Sequence, residues 1–455
     1  WVTGPLARQT VWPWLRAQAV LVHEGMKAAG SLSDAAWWVL LEVQSDLETA
    51  GQVNTAPGVP VLMQANVLAR SVAAVQRNRA KIVSASESLH RMGAAADSLP
   101  WARRWQPAVR QISMALDGLT AFTATTAEQS DATLLLLVQN PDELRATGGF
   151  ISALAVVRLD DFRLDEISYM NCFDVEAYWQ AHPPAPPPLR DYMGASVLLF
   201  RDANWAADFS VSAEVLAALY EMDTREHVDA VVALDTVFLQ LLLDASGAVP
   251  VSEYGVTLSA ENVVATAINF WERPLGATSI DQRDQDFKGW LVHRKDFGRA
   301  VLNAVISRLQ SVGEADLERC LGAVATAVGE RHLLAWVPDN RLAQADLDRM
   351  GVSGRVVTTG DASLMVVDSN VGWNKVDRHI ERAVDYVLTQ VDGGWQAEVC
   401  MTYYNRSTAQ LKQCEHRSHY GDSYEALTQR CYWNYVRLLV PPQSELLRTA
   451  GLRER

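Results

Sequence analysis

The sequence predicts a mixed α/β core, with a helical region before it and a β-rich region after it. Residues 1–130 lack strand alternation and carry the apolar spacing of amphipathic helices. Residues 131–350 alternate short apolar runs with helical patterns, which is typical of α/β domains. Residues 351–455 contain alternating apolar and polar runs, which favour β-strands. We therefore predict a helical bundle or hairpin, an α/β domain, and a β-sandwich-like module that continues past Arg455.

The N-terminal region is predicted to contain helices separated by two breaks. Ser33 and Asp34 are expected to cap the start of one helix. Gly51–Pro60 interrupts it with two prolines and two glycines, and Gly93–Pro107 forms the second break. Two interpretations remain open for this region: a spacer or docking surface, or a helical layer packed on the next domain.

The α/β region begins with two apolar runs joined by a polar loop. Leu134–Val138 and Ile151–Leu159 have the length of strands, and the loop between them carries Arg145. Gly148 and Gly149 permit a sharp reversal and leave backbone N–H groups accessible to a ligand. The loop is either an anion site or a hairpin turn whose arginine pairs with a nearby carboxylate.

A second polar group follows a proline-rich connection. Arg201, Asp202, Asn204 and Asp208 lie close together between apolar segments. Carboxylates such as Asp202 provide the oxygen ligands that a hard cation prefers. The functional interpretation is a ligand or cation site facing Arg145, and the alternative is a salt-bridged corner. Further along, a single long helix is predicted over Phe287–Leu309, and its basic residues include Arg294.

Four sequence blocks resemble the bacterial family called domain-of-unknown-function 4012. They are NPDELRATGGF (140–150), RDANWAADF (Arg201–Phe209), VDAVVALD (Val228–Asp235) and VVDSNVGWNK (Val366–Lys375). The blocks are ordered, and the resemblance extends from residue 131 to about residue 440. It implies a family and no activity.

The order of elements is also similar to that of the LytR-CpsA-Psr wall-polymer ligases. This resemblance implies a mixed sheet with flanking helices, in which arginines hold a polyprenyl-linked pyrophosphate and aspartates bind magnesium. Arg145 fits the family's first arginine, Asp174 fits the aspartate of its second motif, and Phe173 stands where that motif has an arginine. The resemblance and the two polar groups described above together give the candidate site. Its phosphate-binding candidates are Arg145, Arg201 and Arg294, its magnesium-binding candidates are Asp174 and Asp202, and its loop-supporting candidates are Thr147, Gly148, Gly149 and Asn204.

Three of the five cysteines lie within residues 400–431. A disulfide between Cys414 and Cys431 is plausible in an oxidising compartment and would contribute about 3 kcal/mol by closing its loop. Pairing of Cys400 with either partner is one alternative, and free buried thiols are another. The cysteine and histidine spacings do not match a zinc site.

Composition restricts the location and the partners. A net charge of −14 and a pI of about 5.1 argue against nucleic-acid binding. The sequence contains no run of roughly 18 apolar residues, but it begins at Trp1, so we expect a membrane anchor before that residue. We therefore expect an extracytoplasmic cell-envelope protein. Trp1, Trp12 and Trp14 suit a membrane interface, a partner surface or packing under the first helix, and envelope partners are expected on the N-terminal helices.

Two functions remain open because the standard catalytic motifs are absent from the sequence. The first is a non-catalytic structural component of a surface assembly that keeps a lipid-phosphate site. The second is a magnesium-dependent phosphotransferase acting on polyprenyl-pyrophosphate-linked glycans. Clustering of Arg145, Asp174, Arg201 and Asp202 around one apolar pocket favours the second, and separate salt bridges favour the first.

Overall fold

The computed structural model describes most of the chain. The described residues are 13–50, 65–126, 131–160, 163–312, 314–338, 341–357, 363–391, 394–408, 413–418 and 421–451. Trp1 and Trp12 lie outside these ranges, and so does the side chain of Trp14. Among the described residues, no helix is both long enough and apolar enough to cross a membrane.

The N-terminal region is helical, as predicted, and its helices are α1 (Pro13–Ala50), α2 (Ala65–Asp97) and α3 (Gln106–Thr126). The predicted cap at Ser33 and Asp34 was wrong, because both residues lie inside α1. Leu32 precedes the pair and Ala35 and Ala36 follow it, and leucine and alanine have high helix propensity, so the helix continues through the polar pair.

The centre of the fold is a five-stranded mixed sheet. Its strands and those of a separate short hairpin are β1 (Ala132–Asn140), β2 (Phe150–Asp160), β3 (Arg163–Asn171), β4 (Ala230–Asp235), β5 (Val249–Val251), β6 (Val256–Leu258) and β7 (Leu333–Trp336). The order in the sheet is β3-β2-β1-β4-β7, and its strands pair antiparallel except for the parallel pair of β1 and β4. The hairpin consists of β5 and β6.

Helices cover both faces of this sheet. On one face, Leu135 and Leu137 of β1 belong to a core cluster with Leu216 of a covering helix. Because strand side chains alternate, Leu136 and Val138 point to the opposite face. The helices of this region are α4 (Pro187–Met193), α5 (Phe209–Thr224), α6 (Thr236–Ser246), α7 (Val263–Glu272), α8 (Phe287–His293), α9 (Asp296–Gln310), α10 (Glu314–Gly329) and α11 (Arg341–Met350).

The predicted single helix over Phe287–Leu309 is two helices, α8 and α9, and this correction matters for the site. Lys295 lies at the junction as the residue before α9. The Gly298 amide donates to the Lys295 carbonyl over 3.0 Å, the short-range pattern of a turn. Both helices keep an apolar face, so periodicity across the junction gave no indication of the break.

The N-terminal helices pack on the α/β region. Met114 and Ala121 of α3 share a core cluster with Ala343 and Leu347 of α11. Arg79 of α2 also donates to Asp346 of α11 over 2.6 Å. The interpretation of a helical layer packed on the next domain therefore describes α2 and α3.

The C-terminal region is rich in β-strands, as predicted, and contains two separate two-stranded sheets. One sheet pairs β8 (Met365–Asn370) with β11 (Asn434–Leu439), and the other pairs β9 (Ile380–Val391) with β10 (Gly394–Asn405). A short helix, α12 (Tyr424–Thr428), precedes β11. The finer prediction of a β-sandwich-like module stays a prediction.

Candidate functional site

A large apolar cavity lies between the second face of the central sheet and the helices that cover it. Leu136 and Val138 of β1 form its floor, and its volume is about 1260 Å³. Typical small-molecule pockets have roughly 300–1,000 Å³. The helices α6, α7, α9 and α10 supply most of the apolar wall, which includes Phe238, Leu239, Leu242, Val264, Ile268, Val301, Leu302, Val305, Leu321 and Val324.

Polar residues gather at one edge of the sheet, where the cavity meets the ends of several strands. β1 and β4 are parallel, and β3 runs in the same direction as β1 because each pairs antiparallel with β2. The carboxyl ends of β1, β3 and β4 therefore lie at the same edge, which is the usual place for ligands in such sheets. Five of the predicted site residues line the cavity: Arg145, Arg201, Arg294, Asp174 and Asp202.

Arg145 is buried and held by several acceptors. Its side chain is 1% exposed and donates to the carbonyl of Asn370 over 2.8 Å. The same guanidinium pairs with Glu143 at 3.2 Å and with Asp202 at 3.3 Å. Burial lowers the pKa of Arg145, but the two carboxylates outweigh it and raise that pKa above its ordinary value. The structure thus places Arg145 at the cavity and pairs it with carboxylates. The interpretation of the loop as a turn whose arginine pairs with nearby carboxylates therefore accounts for most of its donors.

Asn204 holds the loop that carries Arg145. Its side-chain amide donates to Thr147 Oγ1 and to the Gly149 carbonyl, each over 2.8 Å. Gly148 has φ of +124°, a region that favours glycine. A Cβ on Gly149 would lie 2.5 Å from the Asn140 carbonyl, so only glycine fits at that position. The four residues proposed to support the loop are therefore brought together around it.

Arg201 lies on the rim of the cavity and stacks on Phe173. The Arg201 Cζ is 4.5 Å from the centre of the Phe173 ring, and its side chain is 21% exposed. It pairs with the buried carboxylate of Glu176 at 2.8 Å. Burial lowers the pKa of Arg201, and Glu176 raises it above the ordinary value. Arg201 thus remains a cation at the surface of the cavity.

Arg294 approaches the same aromatic ring. Its Cζ lies 5.8 Å from the centre of the Phe173 ring and 4.8 Å from that of Trp290. The resemblance to the ligases predicts an arginine at the position of Phe173, and here the ring of Phe173 contacts two guanidinium groups. The structure therefore brings Arg201 and Arg294 together through Phe173.

Among the residues that the structure describes, Asp174 and Asp202 are not part of a cluster of metal ligands. Asp174 accepts from the backbone N–H of Asn171 over 3.1 Å, which caps a short helical turn. Asp202 pairs with Arg145 and Arg201. Within the described part of the chain, no group of three or more histidine, cysteine or acidic side chains is arranged to hold a metal ion.

Residues 129–269 match the family model for DUF4012, a protein of unknown function. This match supports the family resemblance. It contains the first three sequence blocks and ends before VVDSNVGWNK, so the resemblance of that last block is not covered. No curated protein matches the chain.

One solved structure that is similar to part of the chain is the Lin1025 protein from Listeria innocua. It has 11% sequence identity, a TM-score of 0.26, and an alignment covering 59% of this chain and 90% of the other. A TM-score this low carries no argument about fold or function. The resemblance to the LytR-CpsA-Psr ligases stays a prediction.

The DUF4012 segment supplies only part of the site. Arg145, Asp174, Arg201 and Asp202 lie within it, whereas Arg294 comes from the later helices. Sequence reasoning missed Glu143 within the loop and Tyr424 of the C-terminal region, which also line the cavity. Lys295 between α8 and α9, and Trp373 and Lys375 of the C-terminal region, line it as well. The tyrosine-rich composition around the cysteines was visible in the sequence, but its contact with the cavity was not.

The C-terminal region forms one wall of the cavity. The Tyr424 hydroxyl donates to Asp142 over 2.7 Å, and the Tyr424 ring lies 5.9 Å from that of Trp271. Lys375 pairs with Glu143 at 3.1 Å. The predicted disulfide between Cys414 and Cys431 is confirmed and closes the loop that carries Tyr424. The disulfide thus constrains a wall of the site.

Proposed function

We propose that this protein is a non-catalytic extracytoplasmic component of the cell envelope that holds a long-chain anionic lipid. The observation that carries the proposal is the 1260 Å³ apolar cavity with cations on its rim. Protein interiors contain few voids larger than a water molecule. An apolar space of this size therefore favours a ligand with a long hydrocarbon chain.

The chemistry of the cavity matches an amphiphile. Each methylene buried in the apolar part contributes about 0.8 kcal/mol. Arg201 and Arg294 meet at Phe173 where the apolar wall ends, and guanidinium groups bind phosphate through paired N–H donors. A polyprenyl phosphate has both features, an isoprenoid chain and an anionic head group.

One observation supports a non-catalytic role, and another supports an oxidising compartment. The two Nη groups of Arg145 are directed at two carboxylates and a carbonyl, so this residue stabilises the loop and has few donors left for a phosphate. The Cys414–Cys431 disulfide is typical of extracytoplasmic proteins. We also infer partners on the N-terminal helical region, where Trp101 and Trp105 are exposed in the connection between α2 and α3. Loss of co-purifying envelope proteins on replacing both tryptophans with serine would support that inference.

The central prediction is that filling the cavity weakens lipid binding. Leu302→Trp places a large ring in the wall formed by α9, and Asn303→Trp makes the same change at an exposed position outside the cavity. We expect the wild type and Asn303→Trp to bind a polyprenyl phosphate saturably, and Leu302→Trp to bind it at least tenfold more weakly. Fluorescence titration measures the affinity. Equal binding by both variants, or none by the folded wild type, contradicts the proposal.

A magnesium-dependent phosphotransferase is the second candidate function. It is favoured by one observation, that Arg145, Asp174, Arg201 and Asp202 line the same cavity. Transfer of a polyprenyl-pyrophosphate-linked glycan to an acceptor, dependent on Mg²⁺ and lost on Arg201→Gln, would establish it. Binding of the lipid without transfer would leave the non-catalytic proposal.

A further inference from the structure

Lys295 is a rim residue whose position is fixed by the contact between α9 and β3. It lines the cavity and precedes the first residue of α9. One turn later, Gly298 lies against Tyr169 of β3 so closely that a Cβ there would be 2.3 Å from the tyrosine hydroxyl. This close approach holds the amino end of α9 against the sheet, and Lys295 beside the end of β3.

Lys295 differs from Arg145, Arg201 and Lys375 because it has no carboxylate partner among the described residues. Arg145, Arg201 and Lys375 each pair with acidic side chains. Among the described residues, the Lys295 amine makes no hydrogen bond and no ion pair. A half-buried cation without a counter-charge is costly, so the site favours an anion supplied by a ligand.

The charged and titratable groups around Lys295 also disfavour its charged form. Arg294 precedes it, Lys375 faces it from the C-terminal region, and Cys172 lies at the end of β3. Burial, and then the charge of Arg294, lower the pKa of Lys295 to about 7. Burial raises the pKa of the Cys172 thiol to about 12, so that thiol supplies no negative charge near neutral pH.

We propose that the Lys295 amine takes up a proton from solvent when an anionic head group binds at the rim, so that the ligand is held more tightly in acid than in alkali. This inference rests on the proposed lipid-binding function and adds its regulation by pH. The amine lone pair accepts the proton, the resulting ammonium pairs with the head group, and the ligand itself is unchanged.

The direction of the pH dependence follows from the linkage between proton binding at Lys295 and ligand binding. An anion beside Lys295 favours the ammonium form and raises the pKa of this residue in the complex. Affinity is therefore highest below the pKa of the empty site, about 7. It falls by up to tenfold per pH unit until the pKa of the complex is reached, and then levels off.

The test uses hexadecyl sulfonate, because its head group keeps one negative charge between pH 6 and pH 9. We expect the dissociation constant of the full chain to rise about tenfold over this range. Lys295→Met should bind weakly with a flat pH profile, and Lys295→Arg should bind tightly with a flat profile. Lys288→Met, which removes an exposed lysine of α8, should keep the wild-type profile.

The protonation itself can be followed in the wild type by ¹³C NMR of the lysine side chains, since the chain has only six lysines. One resonance should titrate near pH 7 and move to higher pH when the sulfonate binds. A flat affinity profile in the wild type, or a wild-type profile in Lys295→Met, overturns the inference. Binding of uncharged hexadecanol under those conditions shows that the cavity still takes a chain, whereas failure of both probes overturns the proposed function as well.

Discussion

At the scale of single residues, environment separates the roles of two cations on the same cavity. Arg145 is surrounded by acceptors, and its charge stabilises the loop between β1 and β2. Lys295 lacks such acceptors among the described residues and lies beside the positive charge of Arg294. Arg145 is therefore part of the structural framework of the loop, whereas Lys295 is available to a ligand.

Replacing Arg145 is expected to destabilise the fold. Arg145→Met leaves Glu143 and Asp202 near each other without their shared cation, and breaking such a buried pair costs about 3–5 kcal/mol. Arg158 also pairs with two carboxylates, but it lies on the surface, so Arg158→Met should cost about 1 kcal/mol or less. Urea unfolding measures both. Similar losses for the two variants would show that Arg145 does not act as a buried framework residue.

At the scale of elements, the loop closed by Cys414–Cys431 connects the C-terminal region to the cavity. Its helix α12 begins at Tyr424, whose backbone N–H donates to Glu272 of α7 over 2.7 Å. The Lys375 backbone N–H donates to the Leu427 carbonyl over 3.0 Å. Covalent closure restricts this loop in the unfolded chain and in the folded wall.

Removing the disulfide is expected to weaken both stability and lipid retention. The double change Cys414→Ala and Cys431→Ala should lower the free energy of unfolding by about 3 kcal/mol. It should also speed release of a bound polyprenyl phosphate, because the wall with Tyr424 is less constrained. Cys400→Ala is the control, since Cys400 is free and exposed. Denaturant unfolding and stopped-flow release measure the two effects, and unchanged release would separate the loop from the site.

At the scale of the whole molecule, buried charges join the N-terminal helices to the α/β region. Asp346 of α11 is fully buried and pairs with Arg79 of α2 and with Arg349. Arg349 also approaches Asp117 of α3 at 3.4 Å. This network, together with the apolar cluster of α3 and α11, makes the helical layer and the sheet one packed unit.

Breaking this network should destabilise the joined unit. Asp346→Asn leaves two arginines without their shared buried counter-charge and should cost about 3–5 kcal/mol. Asp348→Asn is the matched control on α11, because its partner Arg355 is largely exposed and the pair contributes about 1 kcal/mol or less. Calorimetry would show one transition at a lower temperature for Asp346→Asn. An unchanged melting temperature would mean that apolar contacts alone hold the two parts together.

Local patterns predicted much of the secondary structure. The apolar runs Leu134–Val138 and Ile151–Leu159 are strands β1 and β2, and the helical character of residues before 130 is confirmed for the described part. The predictions failed where tertiary contacts override local preference. The turn at Lys295 interrupts a pattern that is apolar on both sides, and α1 continues through a polar pair that resembles a cap.

The sequence by itself determined the α/β core, the β-rich end and the polar residues that close the strands. These features depend on periodicity and short spacing, which a single chain displays directly. Only the tertiary structure decided that the sheet and four helices leave an apolar cavity between them, and which carboxylates neutralise Arg145. It also decided that Lys295 faces that cavity with no carboxylate partner in the described part of the chain. Cavities and charge pairs arise from contacts between distant residues, so their geometry is not contained in local sequence patterns.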